Sequence, residues 1–413
     1  MKINKTITIL TTLCLLSINI FSQNFCATDE YNAPLISANP DKYKIIEEEI
    51  QDYIKTNIYL KNDEEIVIPV VFHIVWIDER MNIPEYVIED QLDVINEAFN
   101  AENADTSILT DTLKNWVGNF KLRFELAHID PDGFFTTGIT RTRTINPHFS
   151  GYDDPIKKSH YGKEPWPTDR YLNIWVGNLL DGFHGYSQFP GGPEETDGVV
   201  VDWQTVGKKG GYSWTYPNSA NLAGGRVLVH EIGHWLNLYH PWGNTADGCG
   251  DDYIPETGRQ DSPIFPEEEC YDTLFSSCVP PERVFVKHYM DYSSCNCMVT
   301  FTKNQVERGL ASLHTYRENM LNGLMSRPNV NNLSETEINP TLTQGAFYIQ
   351  LPECKGTIDI YILDISGSTV EHRTVIEKTF NVFDITNNSN GMYFIKVLDN
   401  NNNIFSEKIF KIK

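Results

Sequence analysis

HEIGHWLNLYH, residues 230–240, is the stretch on which the reading turns. His230 and His234 are spaced i,i+4, so on a helix both imidazoles leave one face, and that spacing lets them reach one tetrahedral Zn2+. Glu231 follows His230 directly, where its carboxylate can reach a water on the same metal. His240 lies six residues beyond His234, so the helix must end and the chain must turn sharply to bring it back. The middle of that turn is Asn237. Glycine is the easiest occupant of a positive-φ position, and Asn is the best substitute. Three His ligands leave a fourth coordination position open, as a catalytic rather than a structural zinc site requires. A random HExxH is expected on the order of 0.02 times in a chain of this composition, and on the order of 0.0005 times once His240 is added. His73, in an apolar run, reads as a satisfied core residue, and the other histidines have no ligand-like spacing.

Outward from this helix (residues 224–239), the flanking sequence reads as mixed elements. Residues 42–56 have the pattern of an amphipathic helix, and IVIPVVFHIVW (66–76) that of a strong core strand. A helix is expected over 85–102, and strands over 122–129, 171–179 and 198–203. One closing helix is expected over 302–325. After residue 325 the composition shifts to Pro, Asn, Ser and Thr without periodicity, a linker. Strand-like runs follow at 347–351, 358–364, 379–383, 392–398 and 404–412, separated by turns such as GSTV and TNNSNG. The fold class is therefore α+β with a small β-sandwich at the end.

The chain has 413 residues, with 33 Lys+Arg against 56 Asp+Glu and a formal charge of -23. That balance argues against a nucleic-acid or anionic-membrane surface. A content of 40% hydrophobic and 12% aromatic residues excludes wholesale disorder. Residues 1–22 read as a secretory signal peptide: Lys2 and Lys5 precede a short apolar run over 6–21, and Ser22 suits cleavage. No other stretch is apolar enough to span a membrane, so the mature protein is expected without a span. Removing that peptide removes Cys14 and leaves cysteines 26, 249, 270, 278, 295, 297 and 354, an odd number. In an exported chain, the cluster over 249–297 reads as disulfide-stapled loops.

The motif runs on into HPWGN and later into HYMDYSSCNCMVTFT (288–302). This resembles the metzincin metallopeptidases and, within them, the pappalysin family. IPVVFHIVW (68–76), LNIWVGNL (172–179), GYSQFPG (185–191) and TDGVVVDW (196–203) are similar to pappalysin segments, so the resemblance covers about residues 65–326. It implies a metzincin-type domain with a mixed twisted sheet plus active-site and backing helices. It also implies a zinc endopeptidase with Glu231 as general base, acting on protein or peptide substrates laid along an edge strand. Met290 matches the Met-turn beneath the zinc site, and Tyr292 a tyrosine that can bind the reaction intermediate. Calcium is implied in the loop after His240. Residues 248–257, GCGDDYIPET, carry suitable carboxylates without assigned ligands, and a solvated acidic loop explains them equally well.

The same resemblance implies bridges Cys249–Cys278 and Cys270–Cys297, and leaves Cys295 and Cys354 without a role. An acidic residue before the Met-turn cysteine is credited in relatives with a preference for a basic residue after the cleaved bond. Asn296 stands there, so a weaker arginine preference than in those relatives is expected. FCATDEYN (25–32) resembles the start of a pappalysin propeptide, and a Cys26 thiolate is a candidate for the open zinc position. A Cys26–Cys295 bridge or an idle thiol remain alternatives. Residues 338–413 resemble the sorting domain of the type IX secretion system, which implies export through the periplasm of a Gram-negative, Bacteroidota-type cell by outer-membrane machinery, to the surface or the medium. The expected organisation is signal peptide 1–22, propeptide 23–60, peptidase domain 61–328, linker 329–337 and an Ig-like β-sandwich over 338–413. An inactive metzincin-like adhesion scaffold and another metal hydrolase, such as an amidase, are the competing readings.

Overall fold

The computed structural model describes residues 26–56, 65–127, 129–132, 136–150, 154–180, 182–208, 224–243, 249–264, 271–293, 297–325, 333, 336–351, 357–376, 380–399 and 404–413. The expected signal peptide, Cys270, Cys295, Asn296 and Cys354 lie outside them.

Helices α1 (Thr28–Ala38) and α2 (Pro40–Thr56) open the described chain. Only the second was legible as a helix, because α1 carries a Pro and no clear apolar stripe. Strand β1 (Ile66–Trp76) falls where expected. It is apolar at almost every position because both of its faces are covered. Then come α3 (Glu85–Phe99), α4 (Asp111–Lys114), β2 (Leu122–Leu126), β3 (Ile139–Arg143), β4 (Leu172–Gly177), β5 (Gly185–Ser187), β6 (Val199–Asp202) and α5 (Arg226–Trp235). The hairpin β7 (Thr273–Phe275) and β8 (Arg283–Phe285) precedes α6 (Lys303–Tyr316) and α7 (Glu318–Met325).

The main sheet runs β2-β1-β4-β6-β5. β1 lends one edge twice: residues 66–70 pair with β2 and residues 72–76 with β3, both parallel. Its other edge takes β4, also parallel. β5 alone runs antiparallel, against β6, and stands last in the order. Strand alternation sends Phe72, Ile74, Ile174, Val199 and Val201 to the face covered by α3 and α5. Val75, Trp175, Tyr186 and Val200 build a second core on the opposite face. Each such fully buried Val, Ile or Phe is worth about 1.5–3 kcal/mol, so the two layers fix the register of the short strand β5.

Two helices differ from expectation. The single closing helix breaks at Arg317, which leaves helical geometry to place its guanidinium on Asp197 and on the Trp235 carbonyl. α6 itself starts with a capping box in which Thr302 and Gln305 satisfy each other's backbone N–H. The helix expected to reach residue 239 stops at Trp235, since the chain must turn to return His240.

The carboxy-terminal strands form two sheets, β10-β16-β15-β12-β13 and β14-β11-β9, around one core. The five expected runs correspond to β11 (Ala346–Gln350), β12 (Thr357–Asp364), β14 (Phe380–Asp384), β15 (Gly391–Asp399) and β16 (Ile404–Lys411). β9 (Glu337–Asn339), β10 (Leu342–Thr343) and β13 (Thr369–Ile376) were not read as strands. β13 is polar along most of its length because it is the last strand of its sheet. Leu333 packs into this core, so its side chain belongs with the sandwich although it falls in the stretch that reads as a linker.

Candidate metal centre

α5 starts from Gly225 in the left-handed region, φ 69°. The Gln91 amide of α3 donates to the Gly225 carbonyl at 2.8 Å, and a Cβ on Gly225 would stand 2.6 Å from Gln91 Oε1. α3 thereby pins the start of the helix that carries His230, Glu231 and His234. At its other end, Asn237 takes φ 69°, as the spacing required. That turn lets Leu238 N–H reach back to the Gly233 carbonyl at 3.0 Å. It also turns the Leu238 carbonyl onto His234 Nδ1 at 2.7 Å. His240 then comes back to the helix, stacked on Trp242 at 4.3 Å between centroids.

The three imidazoles converge. Their Nε2 atoms lie 3.0 Å (His230–His234), 3.1 Å (His234–His240) and 3.3 Å (His230–His240) apart. Each Nδ1 faces an acceptor: the Tyr289 carbonyl at 2.7 Å, the Leu238 carbonyl, and Asp29 Oδ2 at 2.8 Å. Burial, then the neighbouring His240, pushes His230 down to about 3, and the same causes push His234 well below its ordinary value. Neutral rings that donate through Nδ1 must aim Nε2 lone pairs at one another. That arrangement is repulsive without a shared cation. A tetrahedral zinc with Zn–N of about 2.0–2.1 Å sets its ligand nitrogens about 3.3 Å apart. The residues therefore fit the metal.

Cys26 completes the group: its thiol and the three His donors all lie within 4.8 Å of one another, all buried. Cys26 is free and unbridged, which removes the Cys26–Cys295 alternative in this structure. Its thiol receives the Thr28 N–H at 3.4 Å. Burial, then Glu231, pushes that thiol well above its ordinary value, so only a cation at the histidines would hold it as thiolate.

Glu231 is wholly buried beside the histidines, and burial pushes its carboxyl up to about 8 against hydrogen bonds from Cys26, Thr28 and Ser187. Thr28 Oγ1 donates to Glu231 Oε2 at 3.0 Å, and Ser187 Oγ donates to the Glu231 carbonyl at 2.6 Å. A Cβ on Gly185 would meet Glu231 Oε1 at 2.7 Å, so β5 can cross this carboxylate only with glycine there. Ala27 N–H pairs with the Gly185 carbonyl at 3.0 Å, as part of a parallel bridge of Cys26 to Gly185.

Met290 lies in the core under α5. Any Cβ on Gly233 would collide with its sulfur, so glycine at the centre of HEIGH lets the Met-turn approach. Tyr292 is half-buried, its ring 5.1 Å from His240, and its hydroxyl donates to the Cys26 carbonyl at 3.1 Å. Asp291 ties this turn to the loop before it, accepting from Ile264 N–H at 3.0 Å and from the Gln260 amide at 3.1 Å. Cys249 and Cys278 form a disulfide, and Cys297 is disulfide-bonded. Asp252, in the expected calcium loop, accepts from Thr257 Oγ1 and Ile254 N–H, turned inward. His73 is a satisfied core residue, bonded to Thr140 and Asn173 and pushed down to about 4 by burial.

Sequence reasoning missed Thr28, Asp29, Gly185 and Ser187. All four lie in segments quoted above for their resemblance, but nothing in their spacing told which atoms would meet Glu231 and His240.

Comparison with known proteins gives two family matches. Residues 154–314 match the peptidase M43 model described as pregnancy-associated plasma protein-A, and residues 338–412 a secretion system C-terminal sorting domain. An extracellular metalloprotease of Colletotrichum graminicola is 29% identical over 307 residues, 71% of this chain and 90% of that protein. Mature mirolysin of Tannerella forsythia in complex with a cleaved peptide is 38% identical with a TM-score of 0.58, over 64% of this chain and 99% of that one. A promirolysin point variant from the same organism is 34% identical with a TM-score of 0.62, over 72% and 97%.

Proposed function

The chain belongs to the pappalysin family and is a secreted metalloendopeptidase, and from that premise we propose that it is a zinc enzyme made as a zymogen, with Glu231 as its general base. The observation that carries the proposal is the convergence of three Nε2 atoms at 3.0–3.3 Å, with Glu231 beside them. His230, His234 and His240 would hold the metal. Zinc, when bound, supplies Lewis acidity that makes water nucleophilic near neutral pH and offsets charge on a carbonyl oxygen.

The chain's own residues do the rest. Glu231 takes the proton of the attacking water and delivers it to the leaving amine. Its carboxyl meets Cys26, which stands within the histidine group, so it lies where the proton of such a water can be taken. Ser187 fixes the backbone of Glu231. The Tyr292 hydroxyl, bonded to the Cys26 carbonyl here, would donate to a substrate oxyanion in place of that carbonyl. The open edge of β5 would receive the substrate backbone.

Latency follows from the same contacts. Cys26 would hold the fourth ligand position, while Thr28 occupies the Glu231 carboxylate and Ala27 N–H pairs with the edge of β5 at Gly185. We assign residues 1–22 to a signal peptide, 23–60 to the propeptide, 61–328 to the peptidase domain, 329–337 to a linker and 338–413 to the sorting domain read by the outer-membrane machinery of a Gram-negative cell. Structural calcium in the loop of residues 248–257 remains part of the reading without assigned ligands. Asn296 leads us to propose a weaker arginine preference than in relatives that carry an acidic residue there; a peptide-library profile dominated by Arg after the cleaved bond would exclude it.

The test is zinc content and casein cleavage together, on processed wild-type protein and on Glu231→Ala. About one zinc in both, with cleavage in the wild type only, is expected. Zinc without cleavage of any protein substrate would favour a binding scaffold, and a folded sample without zinc would end the proposal.

A further inference from the structure

Tyr31, on α1, leaves the metal site and crosses over β5 into the second core, where it is almost fully buried. Its ring packs on Tyr186, the middle residue of β5, with centroids 4.9 Å apart. Its hydroxyl donates to Asp154, whose oxygens stand at 2.9 and 3.0 Å, and accepts from Lys157 Nζ at 3.0 Å. Gln188 Oε1 lies 3.4 Å away. Lys157 is 0% exposed and sits over the rings of Tyr31, Tyr186 and Trp175 at 4.5, 5.0 and 5.5 Å. A buried ammonium and a carboxylate thus read one hydroxyl from both sides, with aromatic walls around the ring that carries it.

Release of the amino-terminal segment would take Tyr31 away and leave the rest. Lys157 keeps Asp154 at 3.0 Å and the Thr196 carbonyl at 2.8 Å, so the pocket does not lose its polar support. The pocket also lies where a substrate strand must pass. Gly185 and Ser187 face Glu231, and Tyr186 between them faces the opposite side. Cross-strand neighbours share a face, so a substrate residue laid opposite Tyr186 points its side chain toward this pocket, whichever way the substrate runs.

We propose that the pocket of Tyr186, Trp175, Lys157 and Asp154 is a side-chain subsite of the processed enzyme that takes a tyrosine of the substrate, and that Tyr31 occupies it in the precursor. Phenylalanine fills the walls but leaves Lys157 and Asp154 without their shared hydroxyl. The discrimination therefore lies in the polar tip, where losing one buried, charge-assisted partner is costly. The proposal rests on the zymogen reading above, and the test separates the two.

The full chain is allowed to process itself while intact mass follows loss of the amino-terminal segment. Processed enzyme is then given peptides identical except for Tyr, Phe or Leu at each position near the cleaved bond in turn. One position is expected where Tyr exceeds Phe in kcat/KM by about ten-fold or more. In Lys157→Met that ratio should fall to near one. Should that variant fail to fold, the comparison moves to inhibition of processed wild type by a peptide spanning residues 26–38, against the same peptide with Tyr31→Phe, expected to be weaker by a similar factor. Tyr and Phe equal at every position overturn the proposal, whatever the inhibitory peptides do. A Tyr preference that persists unchanged in folded Lys157→Met overturns the assignment to this pocket. An unshifted mass, with the segment never released, overturns the zymogen reading and the subsite with it.

Discussion

Glu47→Gln should loosen Cys26 from the metal site without touching it. Arg308 on α6 is nearly buried, with its Nη1 and Nη2 on Glu47 Oε1 and Oε2 at 2.8 and 2.6 Å. Around this pair α2 lays Ile46 and Ile50 on Ala311 of α6. Removing one partner of a buried ion pair costs about 3–5 kcal/mol. Three features reduce that here. Glu47 is 16% exposed, Gln keeps one acceptor oxygen, and Arg308 keeps the Asn237 carbonyl at 2.8 Å and the face of Tyr239 at 4.7 Å. About 2 kcal/mol remains, or about 30-fold in the equilibrium between docked and lifted segment.

The assay is alkylation of Cys26 in the full chain, followed by mass spectrometry of the peptide that contains it. A buried thiol reacts only when its segment opens, so the rate should rise by about 30-fold. A rate within about three-fold of wild type would refute the reasoning, since α2 and the Cys26 segment would then let go independently. The pH dependence follows with a definite sign. Burial pushes the Glu47 carboxyl up, but hydrogen bonds and charge from Arg308 more than offset this and hold it below its ordinary value. The contribution of Glu47 to docking is therefore complete above the ordinary carboxylate pKa and lost as pH falls through the depressed one. Measured at each pH against the same thiol in an unfolded peptide, which removes the loss of thiolate in acid, wild-type Cys26 should become more accessible over that window, and Glu47→Gln should lack this component.

Three further outcomes are expected. Cys26→Ser should let the unprocessed chain cleave casein or process itself sooner, and a variant as inert as wild type would count against thiol latency. Asn237→Ala forces alanine into φ 69° at a cost of about 1–2 kcal/mol, so it should lose zinc faster to a chelator than Asn237→Gly; equal rates would show that the turn does not hold His240. Gly233→Ala drives a methyl into the Met290 sulfur and should lower thermal stability by about 1–3 kcal/mol, with partial recovery when Met290→Ala is added; a neutral effect would mean the Met-turn can retreat.

Much of the site was legible because metal chemistry constrains spacing. The i,i+4 histidines had to share a helix face, and the six-residue step to His240 had to contain a positive-φ residue, which Asn237 is. β1 was legible because a strand buried on both faces is continuously apolar. What escaped is set by contacts distant in sequence. Thr28 and Glu231 are 203 residues apart, and Glu47 and Arg308 are 261 apart, with no local pattern to join them. β5 escaped as a strand because it is three residues long, and its identity comes from pairing with β6. The break at Arg317 escaped because its cause is Asp197, on a distant loop.

The main sheet ends in a strand whose outer edge must be open if substrate is to lie along it. An edge of unpaired N–H and C=O groups does not distinguish a substrate from a second copy of the same sheet. In this structure Cys26 and Ala27 meet that edge at Gly185, and Asn32 bonds the Ser187 carbonyl and the Phe189 N–H beyond it. On the zymogen proposal, the amino-terminal segment would be an edge guard as well as an inhibitor. While it stays docked, it would deny neighbouring molecules the surface on which sheets otherwise join.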